Sequence, residues 1–342
     1  VLGANAFGVP AVLGTPAGFG TVTTRIYQEL ALSAAPDAFN RVVVLALVLV
    51  VLAGAVVVVG DRFANGARHL PLYRSDAAAT SMTRRSRNVR RAAGLLIAYV
   101  VVTTVVPLVA LVLTAVTRAA GLSPTPGNWT LANFDQALGG SSGAALGRSV
   151  ALAAAAATLV VALGAIVVWL ERHRSSWLGS TVALTFAVPG SALAVAVLLA
   201  YGSWLRDTLV LILIAYVAKF WALGHRPLSG AAAMLSPDSL GAARVAGARP
   251  ATMVRTIVAP LLAPAIGAAW LLVMLFGVHE LTMSSLLYGP GSETLAVVVL
   301  NLRQLGDSTL TAAMAVLLTM VTMGAGVGAL WLWRRRPVRT MP

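Results

Sequence analysis

The chain has 342 residues, of which 58% are hydrophobic and only 11% charged, with a formal net charge of +14. A soluble domain is about 45–50% apolar with glycine counted and about 25% charged, so a water-soluble enzyme or binding module is excluded. Cysteine is absent, which removes disulfides, thiolate metal sites and cysteine nucleophiles together.

The sequence opens at Val1 with neither an initiator methionine nor a basic-then-apolar leader, so the chain is expected to start inside a longer polypeptide. Phe7–Gln28 reads FGVPAVLGTPAGFGTVTTRIYQ, rich in turn residues, and leads into Val42–Gly60, an apolar run without a charge. Nineteen unbroken apolar residues are too many for a strand, and in lipid only a helix satisfies its own backbone. Further stretches long enough for a bilayer core of about 30 Å follow, giving seven expected spans near 41–60, 92–117, 145–170, 178–202, 207–224, 259–279 and 309–333.

The basic residues divide unevenly between the two sides these spans define. Loops 61–91, 171–177, 219–258 and 334–342 hold 19 Lys and Arg, whereas the opposite side holds Arg25, Arg41, Arg118, Arg148, Arg206 and Arg303. The positive-inside rule places the first set in the cytoplasm, including Arg84–Arg91 (RRSRNVRR) and the end from Arg334. The net charge is thereby read as topology, with attraction to anionic lipid heads, and a nucleic-acid partner is not expected.

Glu280–Asn301, ELTMSSLLYGPGSETLAVVVLN, repeats the pattern of Phe7–Gln28 at an offset of 273 residues, with Thr21 opposite Thr294. The repeat predicts two similar membrane halves in tandem. Residues 1–60 would close the first half, 61–91 would be a basic linker, and 92–336 would form the second half, with its core near 142–333.

Between the fifth and sixth spans lies SPDSLGAARVAGARPATMVRTIVAPLLAPAIG, Ser236–Gly267. Ser236 suits an N-cap, Pro237 the first helical position, and Asp238 the positive end of the helix dipole. Gly247 is a helix stop, and a second helix can start at Pro250. This predicts a short small-residue helix in the longest basic loop, shaped for another protein to grip.

These residues resemble a motif of the inner-membrane permease subunits of binding-protein-dependent ABC importers: Glu-Ala-Ala, three residues, Gly, nine residues, Ile, one residue, Leu-Pro. Here Gly241, Ala242, Ala243, Gly247, Ile257, Ala259 and Pro260 occupy those positions, so five of seven agree and Gly241 stands where the family has glutamate. Thr185–Gly202, Ile212–Gly247, Phe7–Gly14 and Thr23–Gln28 are similar to fused two-half permeases of the ferric-iron branch. The resemblance implies an all-α, polytopic, type I importer permease fold with a cytoplasmic coupling helix, in the bacterial cytoplasmic membrane. It implies a separate ATPase subunit carrying ATP and magnesium, an extracytoplasmic solute-binding protein, and a first permease half in the same polypeptide. Ferric iron is the expected substrate, with thiamine, polyamine or phosphonate as alternatives, and an ion-coupled secondary transporter as the reading from another class.

The chain has no Gly-x-x-x-x-Gly-Lys-Ser/Thr phosphate loop, so no ATPase of its own is expected. Pro189, Gly190 and Pro264 are candidate hinges, with Pro189-Gly190 in mid-span, and Pro260 and Pro264 mark entry into a span. His279 and Glu280, at the outer end of the sixth span, are candidates for the outer pathway, near an interface where charge is cheap. His69, His173 and His225 fall in loops and form no ligand cluster. No catalytic set stands out.

Overall fold

A computed structural model of the chain describes residues 7–68, 87–173, 185 and 188–334. His69, residues 84–86 of the basic run, residues 174–184 and the end from 335 lie outside the described residues. Among the described residues the architecture is helical, and the β-structure is a single isolated bridge between Thr117 and Trp129.

Helix α1 (Val22–Tyr27) leads to α2 (Ala38–Arg68). Thr21 caps α1 reciprocally with Thr24, the Thr21 amide donating to Thr24 Oγ1 at 2.8 Å. Thr294, 273 residues on, precedes a second short helix in the same extended backbone conformation, though its side chain makes no cap bond, and that helix also leads into a long apolar one. Glu29 is buried between α1 and α2, 2.7 Å from both Arg25 and Arg41. Next come α3 (Arg87–Val100) and α4 (Val106–Val116), joined through residues 101–105 into one span, then α5 (Ala132–Leu138) and α6 (Gly140–His173). The remaining helices are α7 (Gly190–Leu205), α8 (Leu209–Ala233), α9 (Pro237–Val245), α10 (Pro250–Met253), α11 (Ala259–Val278), α12 (Thr282–Leu287), α13 (Leu295–Gln304) and α14 (Ser308–Arg334).

Among the described residues six helical stretches are long and apolar enough to cross a membrane: Ala38–Val56, Arg91–Val116, Gly140–Glu171, Leu209–Ala233, Pro250–Val278 and Ser308–Ala329. The expected span 178–202 is represented by α7, 16 residues long, which starts only at Gly190. Pro189 stands in extended backbone (ψ 141°) and begins a helix, so it is not a kink within one. Its lack of an N–H and its steric demand on Val188 account for this.

The span expected at 207–224 needs a larger correction. Thr208 caps α8, and the helix runs on through Gly224, His225 and Pro227 to Ala233. His225, read as a loop residue, is therefore helical, as is Lys219, which lay in the expected span but was counted with the basic loop from 219. Pro260 and Pro264 likewise lie inside a continuous helix. Residues 254–258 widen to a π-type turn just before Pro260.

The core is a three-helix packing of α6, α8 and α11, with α7 and α12 against it and α1 and α2 closing over α7. Its centre holds Leu211, Ile212, Ala215 and Tyr216 of α8 with Ala153, Ala156 and Val160 of α6. Small residues set the approach. A Cβ on Gly277 would lie 3.3 Å from the Ala153 Cα, and one on Gly164 3.0 Å from the His225 amide nitrogen. A second cluster joins α14 to α4, α5 and α13 through Ala115, Leu295, Ala313 and Met314.

Candidate functional site

Two places gather the residues that the sequence singled out: the short helix α9, and the junction where α7 begins and α11 ends.

Helix α9 has the predicted boundaries. Ser236 Oγ accepts from the Asp238 amide at 3.2 Å, and Pro237 occupies the first turn. At the far end Gly247 has φ +78°, its amide donating to Arg244 O at 2.9 Å, while Ala248 donates to Ala243 O at 3.0 Å. This paired arrangement is a Schellman stop, and it needs a left-handed residue at position 247. Gly241 lies mid-helix, where glycine costs about 1 kcal/mol relative to alanine, so a helix this short depends on its two caps.

The face of α9 is open. Ala242, Arg244 and Val245 are exposed, with Val245 at 91%, and just before the helix Met234 stands at 86%. Isolated apolar side chains standing free beside arginines fit a surface that another protein covers. A Cβ on Gly241 would meet nothing within 4 Å, so no crowding excludes a larger residue there. Downstream, Ile257 is half-buried, Pro260 is exposed, and Pro264 is exposed within α11. The exposed helix is thus tied through Gly247 and α10 to the base of the α11 span.

At the second place Glu280 turns inward while its neighbour His279 is exposed. Glu280 Oε2 accepts from the amides of Met283 at 2.8 Å and Ser284 at 3.2 Å, capping α12. Ser284 Oγ returns a bond to Glu280 O at 3.0 Å, and buried Tyr216 of α8 donates to the same carbonyl at 3.3 Å. Pro189 and Gly190 are buried here, and a Cβ on Gly190 would come 3.8 Å from Glu280 Oε1. From α8, the Lys219 ammonium donates to Val188 O, and Trp221 Nε1 donates to Thr185 Oγ1. Glu280 is half-buried, with Tyr216, Ser284 and the start of α7 around it. Sequence reasoning passed over Lys219, although its signal, one cation in the run LVLILIAYVAKFWAL, was present.

A third contact was invisible in sequence. His225 of α8, 4% exposed, lies 3.0 Å through Nε2 from Glu171 Oε2 at the end of α6. Among the described residues no group of three or more His, Cys, Asp or Glu could hold a metal ion.

Known proteins give these geometries a setting. No family model matches the chain. PhnV of Salmonella typhimurium, a permease protein assigned to a 2-aminoethylphosphonate transport system, is 27% identical over 208 residues, covering 58% of this chain and 77% of that protein. The PhnV of Salmonella choleraesuis matches to the same extent. Among solved structures, a chain of a bacterial ABC transporter involved in the import of the acidic polysaccharide alginate superposes with a TM-score of 0.56 at 14% identity. That match covers 73% of this chain and 97% of the other, and it shows a shared fold.

Proposed function

We propose that this chain is a membrane-spanning permease of a bacterial ABC importer, driven through α9 by a separate ATP-binding subunit. The observation that carries this reading is the doubly capped, exposed α9 bearing Gly241, Ala242, Ala243 and Gly247 at the motif spacing, on a fold shared with an ABC transporter chain. ATP and magnesium belong to the partner, which grips α9. Closure of that partner moves α9, and Gly247, Pro250 and the wide turn at 254–258 pass the displacement to α11 and on to the junction at Gly190 and Glu280. Because α6, α8 and α11 touch almost backbone to backbone, such a push moves them as rigid bodies about the breaks between helices. A solute-binding protein delivers solute from the opposite face, and the arginine-rich loops lie in the cytoplasm.

For the solute, the relatives named for 2-aminoethylphosphonate support an organophosphonate over ferric iron. Thr21 and Thr294, each in extended backbone at the start of a short helix that leads into a long apolar one, support the reading of residues 1–60 as the close of a first, similar half. One observation favours an ion-coupled carrier instead, namely the half-buried carboxylate of Glu280. The coupling helix has no purpose in such a carrier, and this weighs against it.

The test is Gly247→Pro. Proline cannot adopt φ +78° and donates no bond to Arg244 O, so the stop of α9 is lost. ATP hydrolysis is expected to continue while uptake falls, with the protein still inserted in the membrane. Undiminished uptake in this variant, or uptake by the unsubstituted protein without its ATPase subunit, would overturn the reading.

A further inference from the structure

We infer that Lys219 is the residue that receives the anionic head group of the solute within the membrane. The inference rests on the importer reading for an organophosphonate and assigns that solute a contact.

Lys219 is the eleventh of the 25 residues of α8. At 1.5 Å per residue it lies ~15 Å along the axis from Leu209, half of a bilayer core of about 30 Å. A charge at such depth is expensive, and by default it marks a substrate or ion route. The side chain is only half-buried, so packing within the chain does not seal it off. Its ammonium reaches Val188 O, where the backbone breaks ahead of α7. Helix α7 starts two residues later, so the partial positive charge of its N-terminus falls in the same neighbourhood. Ser191, in the first turn of α7, keeps a fully buried hydroxyl with no hydrogen-bond partner. An ammonium and a helix N-terminus thus lie at one interruption of the fold, with the unused hydroxyl of Ser191 in the first turn of that helix.

Glu280, close to Gly190, has committed Oε2 to the amides of α12, so that oxygen is engaged within the chain. A phosphonate or similar oxyanion is the complement of such a site. Several acceptor oxygens face several donors, and lysine binds such groups as a point charge. Interrupted helices whose N-termini face anionic solute groups near the midplane serve other transporters in the same way.

The experiment uses the complete transporter, comprising the full polypeptide, its ATPase subunit and its solute-binding protein, in proteoliposomes. Uptake of 2-aminoethylphosphonate is measured with saturating loaded binding protein. Lys219→Arg should stay near the unsubstituted rate, whereas Lys219→Met should fall roughly 10- to 100-fold, the worth of a charge-assisted hydrogen bond. The double variant Lys219→Met with Glu280→Gln separates recognition from charge balance. It should stay as low as Lys219→Met, and recovery of uptake would overturn the inference. Independently of any variant, pyridoxal 5′-phosphate followed by borohydride should label Lys219 during turnover, and 2-aminoethylphosphonate should suppress the labelling. Failure to label Lys219 would also refute the assignment, as would normal uptake by Lys219→Met, and either result would leave the importer reading standing. If the unsubstituted transporter carries ferric iron and not the phosphonate, the substrate reading falls and this inference falls with it.

Discussion

Gly224→Ala is the most direct probe of how the transmembrane core is held. The new Cβ would lie 2.6 Å from Val160 Cγ1, 2.8 Å from Val160 O and 3.1 Å from Val160 C on α6. Non-bonded carbons prefer about 3.5–4.0 Å, so something must give. The Val160 side chain can rotate, but its carbonyl oxygen is part of the α6 backbone and moves only if the two helices separate. Overpacking of this kind costs about 1–3 kcal/mol. Gly230→Ala, six residues along the same helix, is the control, because a Cβ there meets nothing within 4 Å. It should stabilise by up to about 1 kcal/mol through helix propensity. The difference between the two variants therefore isolates the crowding. Equilibrium unfolding in micelles, followed by fluorescence of the chain's 8 tryptophans, measures it. Val160→Ala added to Gly224→Ala should restore only part of the loss, since it removes the 2.6 Å contact and leaves the one at 2.8 Å. If Gly224→Ala is as stable as Gly230→Ala, or if Val160→Ala restores stability in full, the backbone-contact account is wrong.

His225→Leu leaves Glu171 without its buried hydrogen-bond partner, so a loss of about 1–3 kcal/mol is expected in the same unfolding assay. Adding Glu171→Leu should recover most of it, and a double variant no better than the single one would show that the pairing is not the cause. Ser236→Ala removes the cap of α9 and should weaken that helix by about 1 kcal/mol. The sign would be faster amide exchange confined to α9, with Ser236→Asp close to the original rate.

The parts legible in the sequence were those determined by local chemistry. Ser236, Pro237 and Gly247 mark the bounds of α9 because capping and left-handed stops act within a few residues. The long apolar runs likewise fall where the long helices do. Gly224 and Pro227 misled for the opposite reason. Locally they read as a helix end, but Gly224 answers to Val160, 64 residues away, and Pro227 is tolerated because the helix is packed on both sides of it. Glu280 looked like an interfacial charge because it follows an apolar run. Its closeness to the start of α7 is a tertiary fact that the local run does not carry. The pairing of His225 with Glu171 left no trace in spacing at all, whereas Lys219 was visible within the expected span 207–224 but was counted with the basic loop.

The arm formed by α3 and the start of α4 stands apart from all this. Every residue from 91 to 110 is exposed, and only the far end of α4 packs, against α14. Such a segment takes little from the bundle's interior, so its residence in the bilayer is decided by partitioning into hydrocarbon before any tertiary assembly. Natural variation along it should therefore track oiliness, with shape complementarity counting for little. A defect there would surface as failed biogenesis in a polypeptide whose finished bundle was sound.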